Sequence, residues 1–209
     1  MGRATDLISV NKRQAWVTHG PAPTLWESSR MSGSGIIGVV LAGGESLRMG
    51  QEKAGLVWNG QSLLARAQTI LAEAGCTSIW VSGRPDLPNG FADSHRDAGP
   101  AHALLDALER LPGDAPGLLA LAVDMPLVAV EDLVALTRPA PEHARAWCEH
   151  PLPVYLPADC PRPDRKDVWS IRKLVTPMQI EWLETSPARR ERLRNINTPE
   201  DFERLQTER

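Results

Sequence analysis

The chain has 209 residues, a length that suits one well-packed α/β domain better than two. Its 23 Lys and Arg against 26 Asp and Glu give a net charge of −3, which argues against the broad basic surface that non-specific nucleic-acid binding needs. The cysteines at 76, 148 and 160 form no CxxC pair, so they indicate neither a zinc knuckle nor a disulfide framework, and a reducing cytoplasm fits them best. The longest apolar run, residues 36–42, is too short to cross a bilayer, so no membrane association is expected.

The first 34 residues differ in composition from the rest of the chain. They are rich in Ser, Thr, Pro and Arg, lack a sustained period and end in Ser-Gly-Ser-Gly over 32–35. This pattern predicts a flexible leader over 1–34 and one domain over 35–209. Trp16 and Trp26 argue for contacts with the domain, because large aromatic side chains are uncommon in solvated tails. Met31 is a second candidate start of translation.

From residue 36 onward, apolar runs alternate with helical patterns. In chain order, the predicted elements are a strand over 36–41, a helix over 62–74, a strand over 79–81, a helix over 101–111, a strand over 118–123 and helices over 130–137, 167–175 and 199–206. Gly75 follows the first helix where a C-cap glycine is typical, and Thr198 is a candidate N-cap for the last. The alternation predicts an α/β fold, a doubly wound and mostly parallel sheet with helices on both faces.

Prolines interrupt this pattern in the second half of the chain. They stand at Pro151, Pro153, Pro157, Pro161 and Pro163. Because proline cannot donate a hydrogen bond to a neighbouring strand, a long central strand is not expected there.

A glycine-rich loop over 41–53 follows the first predicted strand. Glycines at the carboxyl end of a strand let backbone N–H groups approach phosphates, and Arg48 and Lys53 can neutralise them. Gly43 and Gly44 are adjacent and no Lys-Ser or Lys-Thr follows a glycine, so the loop is neither a GxGxxG fingerprint nor a Walker A loop. Ligands of doubly wound sheets bind at this edge. The alternative is a surface turn with solvated charges.

Carboxylates and amides follow or precede the other predicted elements. Asp124 directly follows the strand over 118–123, and one or two carboxylates with water and phosphate oxygens suffice to hold Mg²⁺. A turn aspartate is the alternative there. Asp97 stands before Gly99 and a predicted helix, where an N-cap is the alternative. Asn195 and Asn197 precede the last helix.

The whole string over 41–53 resembles the LAGG-x-S-x-R-M-G-x-[DE]-K signature of the molybdenum cofactor guanylyltransferase family, whose fold is Rossmann-like, of the nucleotide-diphospho-sugar transferase type. Asp124-Met125-Pro126 and the Asn-x-Asn-Thr-Pro-Glu segment over 195–200 resemble further segments of that family. The resemblance implies nucleotide binding by Leu41, Ala42, Gly43, Gly44, Lys53, Asp97 and Asp124. It implies catalytic roles for Lys53, Arg48 and Asp124, a metal-ligand role for Asp124, and substrate contacts for Asn195 and Asn197.

The resemblance also implies a reaction. GMP would pass from GTP to the terminal phosphate of molybdopterin or Mo-molybdopterin with Mg²⁺, giving molybdopterin guanine dinucleotide and pyrophosphate in the cytoplasm. Molybdoenzyme apoproteins or other cofactor-biosynthesis proteins would be protein partners. The alternatives are a molybdopterin cytidylyltransferase, a sugar-phosphate nucleotidyltransferase and a non-catalytic protein that escorts the nucleotide or cofactor.

Three details bear on which base and acceptor are used. Gly43 after Ala42 favours GTP, because the related cytidylyltransferases tend to read Ala-Ala-Gly. Ser82 stands where the family usually has Asn, and Ala101 to Ala103 stand where it has Leu and then Gly, two departures at the expected base and pterin contacts. His150-Pro151 resembles a segment on the cofactor-facing side, although a lone His is more often structural.

Overall fold

A computed structural model describes residues 35–43, 53–95 and 99–207. The strands are β1 (Ile37–Leu41), β2 (Val57–Trp58), β3 (Gln61–Ser62), β4 (Ser78–Ser82), β5 (Gly90–Phe91), β6 (Gly117–Ala122), β7 (Arg145–Trp147), β8 (His150–Pro157) and β9 (Glu181–Leu183). The α-helices are α1 (Leu63–Glu73), α2 (Pro100–Glu109), α3 (Val130–Thr137), α4 (Ile171–Val175), α5 (Pro187–Arg192) and α6 (Pro199–Thr207). Three 3₁₀ turns cover Lys53–Gly55, Arg165–Asp167 and Thr176–Met178.

Seven strands form one sheet in the order β5-β4-β1-β6-β8-β7-β9, and β2 and β3 form a separate hairpin. Within the sheet, β8 is antiparallel to β6 and β7, whereas the other neighbouring pairs are parallel. The predicted α/β fold with a mostly parallel sheet is confirmed. Since the order reverses between β1 and β6, the carboxyl ends of these strands flank the crevice where doubly wound sheets bind ligands.

Helices cover both faces of the sheet, because successive strand side chains point to opposite sides. Leu104 and Leu108 of α2 pack on the face that also receives Leu174 of α4. Leu71 of α1 and Leu133 of α3 pack on the other face. All five side chains are at most 1% exposed, so each face has its own dry core.

Capping residues that are close in the chain set the ends of α1 and the start of α6, and two of them, Gly75 and Thr198, were predicted from the sequence. The Ser62 hydroxyl accepts the Ala65 N–H at 3.1 Å and begins α1. Gly75 follows α1 with φ +99°, as a C-cap glycine does. The Thr198 hydroxyl accepts the Asp201 N–H at 3.1 Å, which confirms the predicted cap of α6.

The proline-rich stretch contains a long central strand, so the prediction that none would form there was wrong. β8 has eight residues and lies between β6 and β7. It pairs with β6 from Val154 to Pro157, where the three residues before Pro157 keep their N–H groups. Pro151 and Pro153 lie where the register with β7 shifts, and a bulge tolerates proline.

The helix predicted over 167–175 is shorter than expected. Arg165–Asp167 forms a 3₁₀ turn and α4 begins only at Ile171. The helix begins there because Ser170 is its N-cap: Ser170 is extended, and its hydroxyl accepts the Lys173 N–H at 3.3 Å.

The predicted leader lies outside the described residues. Among the helices that the structure describes, each is too short or too polar to span a lipid bilayer.

Candidate active site

Four strand ends lie side by side at one edge of the sheet. Leu41 of β1 is in register with Ser82 of β4 and with Ala122 of β6, and Ser82 is in register with Phe91 of β5. The residues that leave these strands are therefore brought together although they are far apart in the chain. We call this edge the carboxyl edge.

Lys53 and Asp124 form the centre of a polar cluster at the carboxyl edge. Lys53 Nζ lies 3.3 Å from Asp124 Oδ2, and the side chains are 16% and 17% exposed. Lys53 Nζ also donates to Asn197 Oδ1 at 3.2 Å, and Asn195 Nδ2 donates to Asp124 Oδ1 at 3.2 Å. Four residues predicted from three separate motifs thus share one hydrogen-bonded network, which we call the Lys53 cluster.

The chain before α6 is tied to the strand end that carries Asp124. The Ile196 N–H donates to the Asp124 carbonyl at 2.8 Å, and Ile196 is 3% exposed. Because Ile196 points into the protein, Asn195 and Asn197 on either side of it point toward the cluster. Asp201 Oδ2 accepts the Asn197 N–H at 3.0 Å and holds the end of the segment.

A second acidic group, Asp93, lies beside the glycine loop. A Cβ added to Gly43 would lie 2.6 Å from Asp93 Oδ2, so the carboxylate stands almost against the Gly43 backbone. The Ser82 hydroxyl donates to Asp93 Oδ1. Ser82 is fully buried, so it contributes to this site by orienting Asp93.

Asp93 was not predicted as a site residue from the sequence. It follows β5, which has two residues and shows no strand pattern of its own. The sequence pattern indicated Asp97 instead, four residues later. Asp97 lies outside the described residues, as do Gly44 and Arg48, so their roles remain predictions.

Gly83 brings the Asp93 loop and the glycine loop together. It has φ +78°, and a Cβ added to it would lie 2.4 Å from the Gly43 Cα and 2.8 Å from the Gly43 N. Its own N–H donates to the Phe91 carbonyl at 2.9 Å. A glycine is required here both by conformation and by close approach.

Leu41 and Ala42 hold the glycine loop at the strand end through their backbones. The Val123 N–H donates to the Leu41 carbonyl at 3.1 Å, and the Ala42 N–H donates to the Ser82 carbonyl at 3.2 Å. Leu41 is 6% exposed and therefore offers a ligand little of its side chain, whereas Gly43 is exposed.

The Asp124 carboxylate fits a hard cation that is shared with phosphate oxygens. Each of its oxygens accepts one hydrogen bond from the Lys53 cluster, which leaves a further lone pair on each. Within residues 35–43, 53–95 and 99–207, no group of three or more His, Cys, Asp or Glu side chains is arranged to hold a metal ion. One carboxylate with bound water and phosphate is the arrangement that Mg²⁺ accepts.

His150 begins β8, which runs opposite to β6, so it lies toward the same edge of the sheet. Burial lowers the pKa of His150 below its usual value, and the nearby Arg190 and Arg172 lower it further against the opposing effect of Glu149. The imidazole is therefore neutral at pH 7. Whether it contacts a substrate stays a prediction.

Comparisons with known proteins show the family to which the chain belongs. Residues 38–163 match the family described as MobA-like NTP transferase domain. A relative from Xanthomonas euvesicatoria, named molybdenum cofactor guanylyltransferase, is 36% identical over 176 residues, which cover 80% of this chain and 93% of that protein.

Two solved structures share the fold at lower identity. The molybdopterin-guanine dinucleotide biosynthesis protein A of Archaeoglobus fulgidus has a TM-score of 0.60 and 19% identity, and the alignment covers 82% of this chain and 97% of that one. The manganese complex of Rv0371c from Mycobacterium tuberculosis has a TM-score of 0.57 and 20% identity, with 84% and 99% covered.

Proposed function

Because the chain belongs to the MobA-like NTP transferase family, and its relatives include a molybdenum cofactor guanylyltransferase, we propose that it transfers GMP from GTP to the terminal phosphate of molybdopterin or Mo-molybdopterin. The observation that carries the proposal is the convergence of Lys53, Asp124, Asn195 and Asn197 at one edge of the sheet. A phosphoanhydride bond forms between the molybdopterin phosphate and the α-phosphorus of GTP, and the bond from that phosphorus to pyrophosphate breaks.

The reaction needs charge neutralisation more than proton transfer. A phosphate monoester is anionic at pH 7, so its oxygen attacks the α-phosphorus without a general base. Two polyanions must be held together, and positioning with electrostatic stabilisation supplies most of the catalysis in phosphoryl and nucleotidyl transfer. Lys53 is placed to neutralise the triphosphate, and Arg48 of the glycine loop is proposed to assist it.

Asp124 is proposed to hold Mg²⁺ at the reacting phosphates. The cation supplies charge neutralisation to the phosphate oxygens when bound. Asn195 holds the carboxylate from one side and Lys53 from the other, so its orientation is set before a ligand arrives. Asn197 accepts from Lys53 and fixes where the ammonium points.

The preference for guanine is proposed to depend on Gly43 and Asp93. Guanine presents two adjacent donors, N1–H and N2–H₂, and a carboxylate is an acceptor without a proton to compete. Asp93 Oδ2 stands at the open face of Gly43. An Ala at 43 would push against this carboxylate, so Gly43→Ala is expected to reduce the preference for GTP.

The test is incubation of the protein with Mg²⁺, molybdopterin and each radiolabelled nucleoside triphosphate in turn. We expect kcat/KM for GTP to exceed that for CTP or ATP by at least about tenfold, which corresponds to about 1.4 kcal/mol. Equal or better use of CTP contradicts the choice of base and leaves the transferase assignment in place. Transfer to a sugar phosphate instead, or tight binding without turnover, contradicts the proposed reaction.

A further inference from the structure

A buried carboxylate outside the site ties the asparagine segment to the strand end that carries Asp124. Asp132 is fully buried in the first turn of α3. Its oxygens accept from Arg189 Nε at 2.8 Å, from Arg192 Nε at 2.7 Å and from Arg192 Nη2 at 2.6 Å. The Ala129 N–H donates to it at 3.2 Å. We call this group the Asp132 clamp.

Both arginines of the clamp belong to α5, which has six residues. Such a short helix is not stable by itself and keeps its place through tertiary contacts. Arg189 also stacks its guanidinium 3.9 Å from the ring centroid of Trp147, which is 2% exposed. The clamp and this stacking fix the orientation of α5.

The end of α5 leads directly into the Lys53 cluster. The Leu193 N–H donates to the Arg189 carbonyl at 2.9 Å, and Leu193 is fully buried. Asn195 follows two residues later, and Ile196 is bonded to Asp124. Only two residues therefore separate Arg192 from Asn195, the first amide side chain of the cluster.

The other side of the clamp is equally close to the site. Asp132 lies eight residues after Asp124, and the chain between them is tied down by the buried Met125 and Val128, with the Val128 N–H donating to the Met125 carbonyl at 3.3 Å. The same connection thus carries the proposed metal ligand and the anchor of α5. A shift of α5 would move Asn195 relative to Asp124.

We propose that Asp132 is a positioning residue, which holds α5 so that Asn195 and Asn197 orient Asp124 and Lys53 for nucleotidyl transfer. This inference rests on the proposed function for its kinetic consequence, although the positioning itself is a property of the unliganded protein. Asp132 touches neither substrate. It acts through the two arginines and the segment that follows them.

The variant that tests this is Asp132→Asn, which keeps the shape and removes the charge. Arg192→Lys is a milder second variant, because lysine cannot make the paired contact of a guanidinium. Leu174→Ala is the matched control, since Leu174 is fully buried in α4 on the opposite face of the sheet. The control loses stability without touching the clamp.

The first readout is amide hydrogen exchange in the nucleotide-free protein. In Asp132→Asn, the Leu193 and Ile196 amides should exchange faster while the β6 amides keep their protection. Leu174→Ala should not show this local pattern. Unchanged exchange at Ile196 in Asp132→Asn and in Arg192→Lys overturns the proposal, whether or not the protein transfers GMP.

The second readout is a kinetic double-mutant cycle. Misplacement of reacting groups by about 1 Å can cost about 100-fold in rate, so Asp132→Asn should lower kcat by on the order of 10–100-fold, with less change in KM for GTP. In an Asn195→Ala, Asn197→Ala background, the same substitution should lower kcat little further while still lowering Tm. An equal kcat loss in both backgrounds overturns the proposal, whereas absence of GMP transfer in the unmodified protein contradicts only the proposed function.

Discussion

Replacing Gly83 by Ala tests whether the close approach of two loops builds the nucleotide site. Alanine at φ +78° costs about 1–2 kcal/mol in backbone conformation. The new Cβ would also lie 2.4 Å from the Gly43 Cα, about 1 Å short of ordinary contact, and such overpacking costs about 1–3 kcal/mol. The total of about 2–5 kcal/mol lowers Tm by about 4–20 °C in a chain of this size.

Gly60→Ala is the matched control for this prediction. Gly60 has φ +77°, and a Cβ added there meets nothing within 4 Å. It should therefore lose about 1–2 kcal/mol from conformation alone, which lowers Tm by about 2–8 °C. The difference between the two variants isolates the contact with Gly43.

The assays are calorimetric unfolding and steady-state kinetics with GTP. Gly83→Ala should raise KM for GTP, because displacement of Gly43 and Asp93 disturbs nucleotide binding, and Gly60→Ala should leave KM unchanged. Equal losses of Tm in the two variants, or an unchanged KM in Gly83→Ala, would refute the reasoning from close approach.

Three further predictions follow from the site, the buried carboxylates and the leader. Asp124→Asn should abolish metal-dependent turnover in a magnesium titration with little change in Tm, and near-normal turnover would contradict the metal assignment. Lys53→Ala should mainly weaken triphosphate binding, as measured by calorimetry. Burial alone would raise the pKa of the Asp106 and Asp132 carboxyls. Hydrogen bonds from Ser94 and Arg165 nevertheless lower the pKa of Asp106 below its ordinary value of 3.8. Hydrogen bonds from Arg192 and Arg189 do the same for Asp132. The ionised carboxylates therefore stabilise the folded protein fully above pH 3.8, and this stabilisation is lost as the pH falls through their lower pKa values in the folded state. The free energy of unfolding should drop below about pH 4, and it should drop less in Asp106→Asn and Asp132→Asn. Equal acid sensitivity of the variants and the unmodified protein would contradict the direction of these pKa shifts. A chain beginning at Met31 should match the full chain in Tm and turnover, and a large loss of either would show that the preceding residues contribute to the domain.

Local patterns in the sequence were sufficient for most helices and for the parallel strands β1, β4 and β6. The buried run at β1, the hydroxyl cap at Ser62 and the capping pair at Thr198 and Asp201 depend on residues close together in the chain. Such patterns can be read from the sequence because the interacting residues are neighbours in the chain. β5 and β9 escaped prediction because strands of two and three residues have too few positions to show a period.

The error at β8 has a different origin. Proline makes a strand unfavourable only where its missing N–H would be needed, and the sequence does not say which neighbour each residue faces. The pairing of Val154 with Ala120 and the bulge near Pro153 supply that information. The register with β6 and β7 therefore decides whether these prolines are tolerated.

The sequence by itself was sufficient to identify the family and to predict four residues that the structure brings together at one edge of the sheet, because a long motif string and an aspartate at a strand end constrain local chemistry. Only the tertiary structure decided that Asp93 faces Gly43, that Ser82 orients it, and that Asp132 anchors the segment carrying Asn195. These contacts join residues whose separation in the chain is arbitrary. Their distances follow from sheet register and helix packing, and neither is recorded in any local pattern.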